Sequence, residues 1–163
     1  MKENVGDEGA RIHVPIHLRW GDLDAYNHVN NTAMLKLLEE ARVRAVWRSE
    51  ADERDDYDTA VIDNGTGTLS LIAQQRIEYL APVPYQRAPL DVELWFARLG
   101  GSSVEICYEV YTPVGVEPRV LYARSATTLV QVDAVSGRPV RLTEEMRVAW
   151  APYVGAPVRF SRS

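Results

Sequence analysis

The residues best suited to chemistry lie in one short stretch, RWGDLDAYNHVNN, at positions 19–31. It holds Asp22, Asp24 and His28 just ahead of a segment whose apolar residues recur at helical spacing. Carboxylates and imidazoles are common metal ligands and common general acids and bases. The stretch is therefore a candidate for a metal loop, a catalytic site or a polar turn.

A calcium site is not predicted, because the spacing of an EF-hand loop is not met. Asp22 and Asp24 match its first two ligand positions. Tyr26, Asn27 and Ala33 then stand where the loop needs an oxygen ligand, a glycine and a glutamate. A zinc site is not predicted either. The chain has only three histidines and one cysteine, and too few of them lie near this stretch to bind zinc. We predict no metal and no separate cofactor.

The usual nucleophile and phosphate-binding motifs are missing. The sequence contains no Gly-x-Ser-x-Gly elbow, no phosphate loop and no dinucleotide fingerprint. Its one cysteine, Cys107, lies in an alternating apolar segment, so we expect a buried small hydrophobe rather than a reactive thiol. Carboxylate chemistry at a helix start is what remains.

The start of the predicted helix offers an anion site beside these carboxylates. Backbone N–H groups near Asn31 and Thr32 have no intrahelical acceptor, and the helix dipole adds to their attraction for negative charge. A carboxylate a few residues upstream can attack a carbonyl polarised there, or activate a water molecule to do so. The residues alone leave a second interpretation equally open, in which Asp22 and Asp24 only bind turn amides.

The elements that position this stretch are predicted from periodicity. Alternation predicts a strand over residues 12–20, and Pro15 favours a sheet edge. Apolar residues at helical spacing predict a helix over residues 32–47 and a short helix from Thr143. Four further strands are predicted over residues 68–80, 90–99, 102–112 and 119–132.

This order of elements predicts an α+β fold, in one domain over residues 1–163 with a flexible tail over residues 1–10. A curved antiparallel sheet wrapped around one long apolar helix would cover every apolar face except the convex back of the sheet. We expect that back to pack against a second copy of the chain.

Composition narrows the class of protein. The chain has 163 residues, is 46% hydrophobic and 25% charged, and carries a formal net charge of -5. An acidic balance argues against a broad nucleic-acid surface. The sequence has no apolar run of about 18 residues, so no membrane span is expected. A single cysteine excludes an intrachain disulfide, and we expect a cytoplasmic protein.

The segment RWGDLDAYNHVNNTAMLKLLEEAR resembles the opening of hotdog-fold acyl-CoA thioesterases of the 4-hydroxybenzoyl-CoA thioesterase-like family. The similarity continues through RIEYLAPVPYQ, LGGSS and VQVDAVSGRPVRL, over roughly residues 12–142. It implies the hotdog fold, a curved antiparallel sheet around one long central helix, which periodicity predicts independently. It also implies a homodimer with active sites at the subunit interface, assembled further into a tetramer or hexamer.

The resemblance implies a catalytic role for three residues. Asp24, the second acid of Asp-x-Asp, would be the nucleophile or general base that acts on the thioester, and Asp22 would be the structural acid of the turn. The oxyanion would bind the backbone N–H of Asn31 and that of a glycine before the next strand. Gly67 is the best match for that glycine, with Gly65 as the fallback.

Substrate contacts follow from the same resemblance. His28 and Asn30 would shape the pocket or hold water. Tyr79 is a candidate for the lining of the acyl site, together with Met34, Leu38, Trp47 and Ile72. Many relatives have glycine in place of Asn27, and asparagine tolerates the positive φ that such a turn requires.

The coenzyme A contacts differ from those of some relatives. These relatives place arginine in the hairpin after the third strand to bind the phosphates, whereas this chain has GGSS at residues 100–103. The predicted contacts near the hairpin are Arg98, Ser102 and Ser103, with Arg87 and Arg138 as further candidates.

Hydrolysis of an acyl-CoA thioester to free acid and coenzyme A is the first functional hypothesis. An acyl carrier protein could replace coenzyme A as the acyl carrier. A hotdog enoyl hydratase or dehydratase would use His28 with an acid such as Glu39 or Glu40. A non-catalytic acyl-CoA-binding protein is the remaining alternative.

Overall fold

The computed structural model describes residues 9–49 and 57–161. Most of the tail predicted over residues 1–10 lies outside the described residues. Its last residue, Ala10, donates its N–H to the carbonyl of Pro152 at 3.1 Å, so the chain is held in place from there on.

Five antiparallel strands form one open sheet, in the order β1-β3-β4-β5-β2. All five predicted strands are present, although the first is shorter than alternation predicted and is followed by a 3-10 turn at Trp20–Asp22. The strand that contains Pro15 lies at one edge of the sheet, as that residue predicted. The strands are β1 (Ile12–Ile16), β2 (Thr68–Tyr79), β3 (Leu90–Leu99), β4 (Ser103–Tyr111) and β5 (Leu121–Asp133).

Helix α1 (Asn31–Val46) follows the polar stretch and packs its apolar side on the sheet. Its 16 residues span about 24 Å, so the single long central helix is not confirmed. A second helix, α2 (Glu144–Trp150), completes the core. It begins after Thr143, whose side-chain oxygen accepts the N–H of Met146 at 3.1 Å.

The two faces of the sheet differ sharply in chemistry. The inner face is apolar: Val14, Val92 and Val110 lie side by side on neighbouring strands and are almost fully buried. The outer face carries a row of ionisable residues that crosses the whole sheet. The members of this row are His13, Glu93, Glu109, Arg124 and Glu78.

The outer face is the back that we expected to pack against a second copy, and the chain's own C-terminal segment crosses part of it. The indole N–H of Trp95 donates to the carbonyl of Ala156 at 2.8 Å, and Gly155 donates its N–H to the carbonyl of Phe96 at 2.8 Å. The hydroxyl of Ser161 donates to the Glu78 carboxylate at 3.0 Å. The C-terminal segment therefore covers part of the outer face that we expected a second copy of the chain to cover.

Cys107 is fully buried on β4, as predicted for a small hydrophobe. Burial raises the pKa of its thiol to about 12, so the reactive thiolate is scarce at neutral pH. No helix in the described part of the chain is long and apolar enough to cross a membrane. The cytoplasmic location stays a prediction.

Trp150→Ala is predicted to lower the free energy of unfolding by about 3–5 kcal/mol. Trp150 is fully buried, its ring stacks on Phe96 with centroids 5.0 Å apart, and its indole N–H donates to the carbonyl of Thr59 at 2.9 Å. Urea unfolding followed by circular dichroism measures the loss. The control is Val148→Ala in the same helix, where the side chain is 64% exposed. It should change stability by no more than about 0.5 kcal/mol, and equal losses in both variants would contradict this assignment.

Candidate active site

Asp22 holds the two ends of the polar stretch together. Its buried carboxylate accepts the N–H of Arg19 at 2.7 Å, and its carbonyl accepts the N–H of Asn30 at 2.8 Å. The chain therefore enters and leaves the stretch at adjacent points. Through these contacts Asp22 stabilises the turn, as expected for its structural acid.

Backbone amides orient the Asp24 carboxylate. Its Oδ1 accepts the N–H of Tyr26 at 2.8 Å and the N–H of His28 at 3.3 Å. The chain reverses at Asn27, whose φ of 64° is the positive value that the sequence predicted asparagine would tolerate there. Within residues 9–49 and 57–161, Oδ2 accepts no hydrogen bond, so that oxygen is available to a substrate or to water.

The start of α1 presents an unpaired donor at the end of the same polar stretch. Asn30 caps the helix, because its side-chain oxygen accepts the N–H of Thr32 at 2.9 Å and the hydroxyl of Thr32 at 2.7 Å. The N–H of Met34 reaches the carbonyl of Asn30 at 2.9 Å. The N–H of Asn31 has no acceptor among the described residues, as expected for the first residue of a helix.

A cleft of about 610 Å³ opens where these groups meet. Asp24, His28 and Asn31 supply its polar lining. Its other walls are apolar or aromatic, as suits an acyl chain with one reacting polar end. They are formed by Tyr26, Val29, Met34, Tyr79, Tyr122 and residues 80–83.

Tyr79 joins the end of β2 to the start of α1. Its hydroxyl donates to the carbonyl of Asn31 at 2.8 Å, and its ring lines the cleft. Burial raises the pKa of this hydroxyl, so it remains a donor at neutral pH. Beyond β2, the carbonyl of Val83 accepts the N–H of Val29 at 2.9 Å, which fixes the segment over residues 80–83 as a wall.

The structure separates the predicted site residues into two groups. Asp24, His28, Asn31 and Tyr79 line one cleft, and Asn30 lies beside them with its side chain engaged in the helix cap. The remaining residues lie at the opposite end of the sheet, since Gly67 precedes β2, whose 12 residues span about 40 Å. This second group consists of Gly67, Arg98, Ser102 and Ser103.

The second group packs on elements remote from the cleft. Gly67 has a φ of 81°, and its carbonyl accepts the N–H of Ala134 at 2.9 Å. The carbonyl of Ser102 accepts the N–H of Gln131 at 2.8 Å. Gly67 and Asn31 of one chain therefore do not lie in one oxyanion site.

Sequence reasoning missed the wall made by residues 80–83, together with Tyr26 and Tyr122. The wall over residues 80–83 could have been predicted from the proline-containing segment directly after β2, which ends that strand beside the polar stretch. Nothing in the local sequence points to Tyr122, because it reaches the cleft only through the pairing of β5 with β2. In the described part of the chain, no three metal-ligating side chains lie close enough together to hold a metal ion.

Comparison with known proteins agrees with this architecture. A family model for the thioesterase-like superfamily matches residues 18–150. No match to a curated protein was found. The chain belongs to the thioesterase-like superfamily and is a thioester hydrolase with a hotdog-type α+β fold.

Solved structures similar to this chain cover most of its length. The PA5185 protein of Pseudomonas aeruginosa is 28% identical with a TM-score of 0.71, over 90% of this chain and 94% of its own. The PA2801 protein of the same species is 31% identical with a TM-score of 0.66, over 85% and 95% of the two chains. A thioesterase from Thermus thermophilus, in complex with coenzyme A and zinc, is 26% identical with a TM-score of 0.61, over 84% and 94%.

Asn30→Ala is predicted to lower the free energy of unfolding by about 1 kcal/mol, because it removes the oxygen that caps α1. Asn30→Asp keeps that oxygen and should stay within about 0.5 kcal/mol of the wild type in urea unfolding. The same pair separates capping from the predicted substrate contact. An unchanged KM in both variants would mean that the side chain only caps the helix and does not contact substrate.

Proposed function

We propose that the protein hydrolyses an acyl-CoA thioester to free acid and coenzyme A, with Asp24 as the nucleophile or general base. One observation carries the proposal. Asp24 and Asn31 both line the same largely apolar cleft, and in the described part of the chain Oδ2 of Asp24 and the N–H of Asn31 have no hydrogen-bond partner. A thioester carbonyl between them would have a carboxylate on its carbon and an amide donor on its oxygen.

The chemistry that this arrangement supports is addition followed by loss of the thiolate. Either Oδ2 attacks the carbonyl carbon, or it takes a proton from a water molecule that does so. Negative charge that develops on the carbonyl oxygen is stabilised by the N–H of Asn31 and by the positive end of the α1 dipole. The carbon–sulfur bond then breaks and the thiolate leaves. In the first route, water cleaves the acyl–aspartyl anhydride and regenerates Asp24.

A second oxyanion donor would come from a partner subunit. We propose a homodimer in which the β2 edge of one chain pairs antiparallel with β2 of another. Support comes from the free edge of β2 and from the exposure of Leu69 and Leu71 on it, 46% and 47%. Such a two-fold axis puts the start of one β2 beside the end of the other, so the partner subunit's Gly67 would approach Asn31.

The same symmetry would carry the partner's hairpin over residues 100–103 toward the cleft. Arg98, Ser102 and Ser103 stay predicted coenzyme A contacts on this basis. Assembly of dimers into a tetramer or hexamer also stays a prediction, which light scattering on the purified protein would measure.

The hydratase or dehydratase alternative finds no support in the cleft. His28 lies there, but Glu39 and Glu40 are exposed on α1 and do not line it. Glu39 instead lies 3.9 Å from the guanidinium of Arg42. Among the described residues, Asp24 is the only acid that lines the cleft with His28. Hydrolysis therefore remains the reaction that these residues fit best.

Asp24→Asn is expected to lower kcat on acyl-CoA at least about 100-fold, because the amide is neither a base nor a nucleophile. The fold should survive, since the amide oxygen can still accept the N–H groups of Tyr26 and His28. Release of the coenzyme A thiol, measured over a panel of aliphatic and aromatic acyl-CoAs, reports turnover, and the buried thiol of Cys107 adds little background. Asp58→Asn, at an exposed position, is the control and should keep wild-type turnover. Normal activity of Asp24→Asn would disprove its role.

Complementation tests the shared site. Asp24→Asn should be nearly inactive because it lacks the carboxylate. Gly67→Pro should be nearly inactive because proline has no N–H to donate and cannot adopt the φ of 81° found there. If one chain supplies Asp24 and the other Gly67, an equal mixture of the two variants, co-expressed, should regain about one quarter of wild-type activity through heterodimers with one intact site. Gly115→Pro changes another glycine of similar φ, 85°, outside the cleft and should remain active. No regained activity, with Gly67→Pro folded, would rule out the shared site.

A further inference from the structure

We propose that an exposed surface beside the cleft, formed by Arg19, Trp20, Tyr85 and Arg87, binds the adenine nucleotide of coenzyme A. We call this surface the aromatic rim. The inference rests on the proposed acyl-CoA thioesterase function and deepens it. It locates the nucleotide on residues of the same chain as the cleft, in place of the partner's hairpin with Arg98, Ser102 and Ser103.

The first observation is an exposed aromatic pair. Trp20 is 72% exposed and Tyr85 is 38% exposed. Their ring centroids lie 5.3 Å apart at an interplanar angle of 76°, an edge-on contact that leaves most of the indole surface open. Exposed apolar residues that lie together, rather than singly, are typical of binding surfaces. A purine base stacks on such a ring whatever its hydrogen-bonding pattern.

The second observation is the positive charge around the pair. The Arg19 side chain is 77% exposed, and the one ion pair that it forms within residues 9–49 and 57–161, with the buried Asp22, is long at 3.4 Å. Arg87 is exposed and forms no ion pair within the described residues. The ring of His17 lies 3.3 Å from the Arg87 carbonyl, so the two segments are in contact. Two accessible guanidinium groups suit phosphate, in a chain whose net charge is -5.

The third observation is continuity with the cleft. Val83 lines the cleft, and Tyr85 follows two residues later, about 7 Å along extended chain. Pro84, between them, bridges to His28, another residue of the cleft. On the other side, Trp20 precedes Asp24 by four residues. A pantetheine arm that leaves the cleft past Val83 would carry its nucleotide onto the rim.

The chemistry of the rim fits a nucleotide better than a protein carrier. The arginines would also attract the acidic surface of a carrier protein. An exposed indole ring, however, is not required to bind such a surface. A nucleotide needs both, a flat aromatic ring for its base and cations for its phosphates. The rim also adjoins the segment that leads into β3, while the proposed dimer forms at β2, so pairing along β2 leaves it accessible.

The test compares an acyl-CoA with the N-acetylcysteamine thioester of the same acyl group, which lacks the nucleotide. Trp20→Ala, and separately Arg19→Ala combined with Arg87→Ala, should raise KM for the acyl-CoA about tenfold and leave KM for the short thioester unchanged. Arg159→Ala removes an exposed arginine from the C-terminal segment and should leave both values unchanged.

Several results would overturn the inference. Equal losses on both substrates would mean that the rim only supports the fold. A raised KM in Arg98→Ala, with none in the rim variants, would locate the nucleotide at the hairpin end of the sheet. Preferred hydrolysis of an acyl carrier protein thioester, weakened by the rim variants, would identify a protein carrier instead.

Failure of the proposed function is distinguishable from failure of the rim. In that case the wild type would hydrolyse neither thioester. Calorimetric titration with free coenzyme A then tests the rim alone. Binding by the wild type that is lost in Trp20→Ala supports it, and binding equal in both overturns it.

Discussion

The hydrogen bond from the N–H of Asn30 to the carbonyl of Asp22 fixes the geometry on which the candidate site depends. At 2.8 Å it ties the residue that caps α1 to the turn that leads into Asp24. Asp24 and Asn31 are thereby held close enough to line the same cleft. A second bond supports the same arrangement, because the N–H of Asp24 donates to the carbonyl of His28 at 2.8 Å.

The edge strand β2 has an equally direct influence on function. Its last residue, Tyr79, bonds to the first residue of α1, so one end of the strand belongs to the cleft. Its other end carries Gly67, about 40 Å away. Hydrogen-bonding groups along a free sheet edge favour pairing with another strand. Two-fold pairing at this edge would bring Gly67 of one chain close to the cleft of the other, although the two lie far apart within one chain.

The outer face of the sheet shows how the C-terminal segment replaces an expected contact. The strand pattern predicts one face of the sheet that no helix covers. This face carries ionisable residues from all five strands. Trp95 and Glu78 on it hydrogen-bond to Ala156 and Ser161 of the C-terminal segment. Assembly through that face would have to accommodate or displace the segment.

Local patterns predicted the elements well, because apolar periodicity and capping act over a few residues. The five strands, both helices, the edge position of β1 from Pro15 and the turn at Asn27 were all accessible in this way. The order of the strands was not, since register and neighbours depend on contacts far apart in sequence. For the same reason the wall over residues 80–83 and Tyr122 could not be assigned from sequence alone.

The sequence by itself determined that a carboxylate pair, a turn asparagine and a helix cap follow one another within residues 19–31, because each is a local choice of residue type. Only the tertiary structure decided which predicted site residues meet. It joined Asp24, His28, Asn31 and Tyr79 in one cleft and left Gly67, Arg98, Ser102 and Ser103 at the far end of the sheet. The physical reason is the length of β2. An extended strand separates its two ends by its full length, so residues predicted to act in one site can lie far apart within one chain.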